Sequence, residues 1–475
     1  MNINKLPIKL NASVKAVITL LLNLPGEDRI RHVVQRVENM KEYEVSDQVK
    51  KVMKDFGNRH RNIREIFLHH FHKIENQYTA GLTHFSSQKK LLLGAFFTKE
   101  YSIQSAALFN PSIVPHPDQT GLKSNEQRFI MSLRATGEGH ISSIVFQTGV
   151  IDEEGDITLD VPTGYYTCLK KNEDALYDKR FIQTRAATFP GFDFKVLDML
   201  PDSFTASQAK NIFKTILNQE LSVIHSISIP EEMLDTNYEL KDSSNIPFNE
   251  KVIFPNARAE SMGMEDVRFV KFEDGGQSCY YGTYTAYNGK QMRTQLIETR
   301  DFNVFKIRTL YGLAINDKGM ALFPEKVNGK FVMISRQGGE NISIMFSDDL
   351  YRWETSDVLM EPRFAWELVQ LGNCGSPIKT DKGWLLLTHG VGVMRTYVIS
   401  AILLGLNDPT RITGRLDKPF IEADESEREG YVPNVVYTCG FIHHGNLLVI
   451  PYAVSDSATG FATIALDELL NEFKL

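Results

Sequence analysis

The chain has 475 residues, more than one ordinary core needs, so it holds either one large repeat domain or two domains. Its 52 Lys and Arg against 59 Asp and Glu give a net charge of −7, and 42% hydrophobic with 23% charged residues excludes a disordered or fibrous chain. That balance also argues against a nucleic-acid partner. The charge is uneven: residues 1–100 carry +7 and the remainder −14, so the two parts differ in kind.

Four cysteines, Cys168, Cys279, Cys374 and Cys439, are spread without a CxxC spacing, which implies no zinc knuckle and no dense disulfide frame. A reducing, cytoplasmic compartment is the expectation. The apolar run at 16–24 follows Lys5, Lys9 and Lys15 but lacks a small-x-small cleavage site and runs into Pro25-Gly26, so it reads as an ordinary buried segment. No apolar run approaches the ~20 residues of a membrane span, so no membrane partner is expected.

Between residues 27 and 78 apolar residues recur at helical spacing: Ile30, Val33, Val34, Val37 and Met40, then Val49, Val52, Met53, Phe56, Ile63, Phe67, Phe71 and Ile74. These predict two amphipathic helices, the second capped by Ser46 or Asp47. Such stripes must be buried somewhere, so residues 1–100 read as a helical extension serving as a cap or a homo-oligomer contact. The cluster His69-His70-Phe71-His72 lacks an acidic or Cys partner at ligand spacing and reads as a solvated helix face rather than a metal site.

After about residue 100 the texture becomes short β-branched and aromatic runs cut by Gly, Asn and Asp turns, as in Phe331–Ser335 and the run before Thr388. Gly turns recur before apolar strands in Asn328-Gly329-Lys330, Lys382-Gly383-Trp384 and His444-Gly445-Asn446. Short strands at near-regular intervals predict an all-β domain over 101–475, a propeller rather than a sandwich, with about five blades of ~70–75 residues. An insert at 204–249 reads differently, with a helical stretch near 207–224 and a polar loop near 242–245.

A propeller gathers its chemistry from strand ends of different blades, so functional groups should lie far apart in sequence. Polar residues in apolar or Gly-rich strand contexts are the candidates: Asn110, Arg134, Asp266, Arg268, Lys318, Arg336, His389, Tyr452 and Asp456. In Glu265-Asp266-Val267-Arg268, alternation along a strand predicts that only one of the two acids enters a central funnel. Arg336 and His389 each end an apolar strand, and a guanidinium and an imidazole from two blades make a plausible anion cradle. The acidic run at 422–429 reads as a loop, with Glu429 the member expected to point inward.

Gly263-Met264-Glu265-Asp266-Val267-Arg268, Ala321-Leu322-Phe323-Pro324-Glu325-Lys326 with Asn328-Gly329-Lys330 and Arg336, and Gly383-Trp384-Leu385-Leu386 with His389-Gly390 together resemble glycoside hydrolase family 130. So do Asp408-Pro409, Gly430-Tyr431-Val432-Pro433-Asn434-Val435 and Tyr452 with Asp456. The resemblance runs from about Asn110 onward. It implies a five-bladed propeller acting on β-mannosides, with β-1,2-linked mannooligosaccharides ahead of other aglycones. Asp266 would be the sole catalytic carboxylate, its proton relayed through a sugar hydroxyl. Asn110, Arg134, Asp456 and Tyr452 would hold the mannosyl unit. Arg336, His389 and Gln370 would hold inorganic phosphate, a co-substrate rather than a cofactor, and the product would be α-mannose 1-phosphate. Gln370 stands where members carry a cation, and Val267 where many carry Pro.

Phosphate is already an anionic nucleophile, whereas an inverting hydrolase needs a second carboxylate to activate water. The Arg336 and His389 pair therefore favours phosphorolysis. The alternatives are a β-1,2-mannosidase using Glu340 or Glu429 as base, and a non-catalytic glycan-binding propeller.

Overall fold

The computed structural model describes residues 1–78, 82–219, 223–242 and 245–473. It is mostly β, built from antiparallel units of short strands whose alternating side chains feed cores between neighbouring sheets. The first unit contains Ala107–Pro115, Gln127–Thr136, Ser142–Ile151 and Ile157–Leu159. The second contains Gly263–Asp274, Gln277–Tyr287, Met292–Thr299 and Val304–Thr309. Ala321–Leu322, Phe331–Ser335, Ile342–Ser347 and Asp357–Met360 make the third, and Gln370–Asn373, Trp384–Val391, Tyr397–Leu404 and Ile412–Arg415 the fourth.

The last unit is assembled from both ends of the chain. Val436–Tyr437, Leu447–Val454 and Ala458–Ala465 pair in order, and Asn4–Asn11 adds antiparallel to the outer strand. The extension predicted as helical thus also supplies a strand to this sheet. Lys5 fixes that strand through Nζ to Glu427 Oε2 (2.5 Å) and Asp424 Oδ2 (3.1 Å). Glu427, and not Glu429, is the acid of the 422–429 run that turns inward, because Lys5 and the Tyr452 hydroxyl (2.5 Å) satisfy it there.

Backbone bonds tie each unit to the next. Gly263 pairs in parallel with Ser142, Glu273 N–H donates to Pro324 O (2.9 Å), and Leu371 N–H donates to Glu340 O (2.8 Å). Tyr397 bridges in parallel to Val435, and Cys439 N–H donates to Pro111 O (2.8 Å), which links the last unit to the first.

The 16–24 run does form buried structure: Val17–Leu21 pairs with Thr98–Ser102 around a core that includes Ala16 and Ile18. Between these strands lie the helices Glu27–Glu38, Glu42–Phe56, Ile63–Tyr78 and Ser87–Phe96. Their stripes meet in a core of Ile30, Val34, Val37, Phe71, Ile74, Leu93 and Phe97. Arg61 clamps the helices to the sheets with two 2.6 Å bonds to the fully buried Glu250. His69 and His72 are exposed, but His70 is buried and meets Thr98 Oγ1 at 2.7 Å, so that face is only partly solvated.

The helical insert begins earlier than the expected 204, with Lys179–Ala186 joining Ala206–Gln219 and Ile224–Thr236 around a shared core of Ile182, Phe204, Phe213 and Ile227. Part of the polar loop predicted at 242–245 lies outside the described residues.

Candidate active site

Every antiparallel unit sends side chains into one cavity of about 390 Å³. Its walls include Asn110 and Arg134 from the first unit, Glu265, Asp266 and Arg268 from the second, and Lys318 and Arg336 at the ends of third-unit strands. Gln370, Asn373, His389, Arg395 and Tyr397 come from the fourth, and Tyr437 and Asp456 from the last. Residues up to 346 positions apart in the chain thus meet because strand ends converge.

The backbone is strained where the acids enter. Asn110 (φ 50°), Asp266 (φ 54°) and Asp456 (φ 49°) all adopt left-handed conformations, each costing on the order of 1–3 kcal/mol. Asn and Asp tolerate this region better than other non-glycine residues because their short side chains bond locally. At Asn110 and Asp266 the strain coincides with breaks in strand register, between Phe109 and Ser112 and between Glu265 and Arg268. These bulges re-aim the side chains. Consequently Glu265 and Asp266 both line the cavity, correcting the expectation from simple alternation that only one would do so.

Arg134 holds both acids. Its Nη2 donates to Glu265 Oε1 (2.8 Å) and its Nη1 to Asp266 Oδ1 (3.0 Å), while its Nε donates to Ser142 Oγ (2.9 Å). Asn110 Nδ2 adds a 2.7 Å bond to the same Asp266 oxygen. Asp266 Oδ2 has no hydrogen-bond partner among the described residues. Burial favours the neutral acid, but Arg134, Lys318, Arg268 and the Asn110 bond outweigh it and hold Asp266 well below the usual carboxylate range. Asp456 moves the other way: burial and the nearby Asp266 push it up to about 6, against Arg134 and Arg395.

Behind these groups Arg268 acts as a strut. It donates from Nη1 to the Asp266 carbonyl (2.9 Å), from Nε to Asn373 Oδ1 (3.2 Å) and from Nη2 to the Tyr437 hydroxyl. Asn373 in turn donates to Gly319 O, and its carbonyl receives His389 Nδ1 (3.2 Å). The strained acid and the imidazole are therefore fixed to one buried framework.

The other wall is under-satisfied. Arg336 Nε, Gln370 Nε2 and His389 Nε2 are buried there without a hydrogen-bond partner among the described residues, as is Asn110 Oδ1 on the acid-lined side. Buried polar atoms left open cost about 1–3 kcal/mol each, which a bound ligand recovers. Five cationic side chains, Arg134, Arg268, Lys318, Arg336 and Arg395, face three carboxylates, leaving an excess of two positive charges. Such a chamber suits a sugar at its acid-lined end and a small dianion near Arg336.

A family model described as beta-1,4-mannooligosaccharide phosphorylase, of glycoside hydrolase family 130, matches residues 230–475. The chain is 32% identical over 237 residues to a 1,2-beta-oligomannan phosphorylase from Thermoanaerobacter sp. (strain X514), an alignment covering 48% of this chain and 77% of that protein. The chain belongs to glycoside hydrolase family 130. Another family 130 relative, the beta-1,2-mannobiose phosphorylase of Listeria innocua, is 30% identical over 243 residues, 50% of this chain and 67% of the relative. The solved structure of a Listeria innocua beta-1,2-mannobiose phosphorylase with beta-1,2-mannobiose aligns over 78% of this chain and 92% of its own, with 21% identity and a TM-score of 0.48.

Of the site residues expected from this family 130 sequence, Asn110, Arg134, Asp266, Arg336, Gln370, His389 and Asp456 meet in the cavity. Tyr452 does not. It lies 2% exposed in the core between the last two units and gives its hydroxyl to Glu427. As a member of a regular strand, its side chain follows the pleat away from the cavity. Asn373 and Tyr437 were not singled out from sequence. Asn373 carried a signal, because Asn-Cys-Gly marks the turn in which its Oδ1 accepts from Gly375 N–H (3.1 Å, Gly375 φ 107°).

Proposed function

We propose that this chain is an inverting β-mannoside phosphorylase acting on β-1,2-linked mannooligosaccharides. Inorganic phosphate attacks C1 of the terminal mannosyl unit while the bond to the leaving sugar breaks, giving α-mannose 1-phosphate. The family membership and the relatives named above support this reading. Its carrying observation is the open wall of Arg336, Gln370 and His389 in the same cavity as Asp266.

Asn110, Arg134 and Asp456 hold the mannosyl unit, and Arg336, Gln370 and His389 hold phosphate, with Lys318 adjoining. Asp266 supplies the proton to the leaving oxygen. In the empty site it is ionised, because Lys318 and Arg268 add to the pull of Arg134. A phosphate dianion offsets that field, raises the acid's proton affinity and so couples co-substrate binding to loading of the proton. Glu340 and Glu429, the bases a hydrolase would recruit, are exposed and do not line the cavity, which favours phosphate over water.

The antiparallel units read as five blades of a propeller closed by Asn4–Asn11, a reading supported by the backbone bonds that link each unit to the next and the last to the first. Residues 101–475, completed by the strand Asn4–Asn11, then form the catalytic domain. The helices within 1–100 serve as a cap docked by Arg61, with a homo-oligomer contact as their second candidate role.

The deciding experiment is turnover of β-1,2-mannobiose and longer β-1,2-mannooligosaccharides with and without inorganic phosphate. Phosphate-dependent release of mannose 1-phosphate is the expected result. Equal cleavage without phosphate, yielding free mannose, refutes the proposal.

A further inference from the structure

The His389 ring is fixed on several sides. It lies flat on Gly372, where even a Cβ would come within 2.2 Å of the ring carbon Cε1. It stacks on Tyr397 (centroids 5.7 Å, planes 12° apart) and meets Tyr437 edge-on at 4.8 Å. Its Nδ1 is 3.2 Å from the Asn373 carbonyl, which can only accept, so Nδ1 carries the hydrogen. That carbonyl belongs to a strand residue paired with Thr388, and bonds from Arg268 and Gly375 N–H to Oδ1 fix the Asn373 side chain beside it. In a neutral imidazole the remaining nitrogen, Nε2, then presents a lone pair. Burial, Arg336 and Arg268 all disfavour a second proton on this ring.

This leaves an acceptor in a basket of donors. Nε2 is buried and has no partner among the described residues, and with the ring faces covered, its partner must come from the cavity. Around it Arg336 and the Gln370 amide offer only hydrogens from their unpaired nitrogens. The complementary ligand has several acceptor oxygens and one hydroxyl.

We propose that His389 selects the co-substrate by its proton, accepting a hydrogen bond from the P–OH of hydrogen phosphate. This rests on the phosphorolytic reading and sharpens it into a rule for oxyanions: hydrogen phosphate and hydrogen arsenate fit, whereas sulfate and selenate, similar in size and charge but lacking a hydroxyl at neutral pH, meet a lone pair. The reaction balances. An unprotonated oxygen of HPO₄²⁻ bonds to C1 as the C1–O bond breaks, and the leaving oxygen takes the proton supplied by Asp266. The P–OH stays on Nε2, so the product forms as the mannosyl phosphate monoanion and Asp266 returns to the ionised state it has in the empty site.

The test uses the unaltered enzyme at pH 7 with a β-1,2-mannooligosaccharide. Arsenate should replace phosphate in driving cleavage, and sulfate and selenate should inhibit with constants at least about 100-fold above the phosphate KM, as for sites that reject an analogue missing one hydroxyl. Sulfate or selenate constants less than about 100-fold above the phosphate KM overturn the proposal. Cleavage that ignores all four anions would instead remove the phosphorolytic reading beneath it. His389→Gln supplies an amide that can donate, and should narrow the gap between sulfate and phosphate by about tenfold. An unchanged gap in a folded variant also counts against the assignment.

Discussion

Arg336→Ala separates phosphate binding from every other role in the site. The Arg336 guanidinium makes no ion pair among the described residues and its Nε is unsatisfied, so its removal strands no protein carboxylate. Stability should therefore stay within about 0.5 kcal/mol of the parent. Two charge-assisted hydrogen bonds to phosphate, at about 1.5–3 kcal/mol each, put the expected loss near 3–4 kcal/mol after partial overlap. At tenfold per 1.4 kcal/mol, the phosphate KM rises roughly 10²–10³-fold. Arg134→Ala is the contrast: it strands Glu265 and Asp266 together and should cost about 3–5 kcal/mol of stability. Initial rates against phosphate at saturating mannoside, against mannoside at saturating phosphate, and calorimetric Tm for both variants make the comparison. Equal rises in both KM values for Arg336→Ala, or a Tm drop matching that of Arg134→Ala, refute the reasoning.

Asp266→Asn keeps the Asn110 contact but removes the proton donor, so kcat should fall by about 10²-fold or more, and Tm should fall as well because Arg134 loses an ionic partner; a folded variant retaining a third of the parent rate would exclude Asp266 as the acid. Asp456 accepts sugar hydroxyls best when ionised, so kcat/KM for the mannoside should decline below about pH 6, and Asp456→Asn should flatten that limb. Because its folded-state pKa lies above the ordinary value, stability linked to Asp456 is present at low pH and lost as pH rises through about 6, so Asp456→Asn should raise Tm more at pH 8 than at pH 5. Tyr452→Phe should leave both KM values unaltered while lowering stability by about 1–3 kcal/mol, since Glu427 loses a buried donor; a selective rise in the mannoside KM would restore Tyr452 to the sugar site.

The sequence allowed the helical stripes of the N-terminal part and the strand texture beyond residue 100 to be read, because both periods are written in apolar residues. Arg336 was legible as a polar residue closing an apolar strand, whereas His389, expected at a strand end, sits inside a strand that runs on to Val391. The shared entry of Glu265 and Asp266 was not legible, since it depends on a register break that a period-two pattern cannot express. Asn4–Asn11 escaped for another reason: Leu6, Ile8 and Leu10 do alternate, but the strand's pairing partners lie far away in sequence and the helical stripes that follow dominate the pattern of residues 1–100. Tyr437 looks like an ordinary strand residue until Arg268 is placed against its hydroxyl.

The strand Asn4–Asn11 carries a kinetic implication. On the ribosome it emerges long before its pairing partner Ala458–Ala465 exists, and waits without that partner while the residues between them are made. Its lysines, Lys5 and Lys9, are of the kind that discourage edge-to-edge association during that wait. Once seated, the same strand ties Ala458–Ala465 to a segment far away in sequence, so its release and the opening of this sheet are one event.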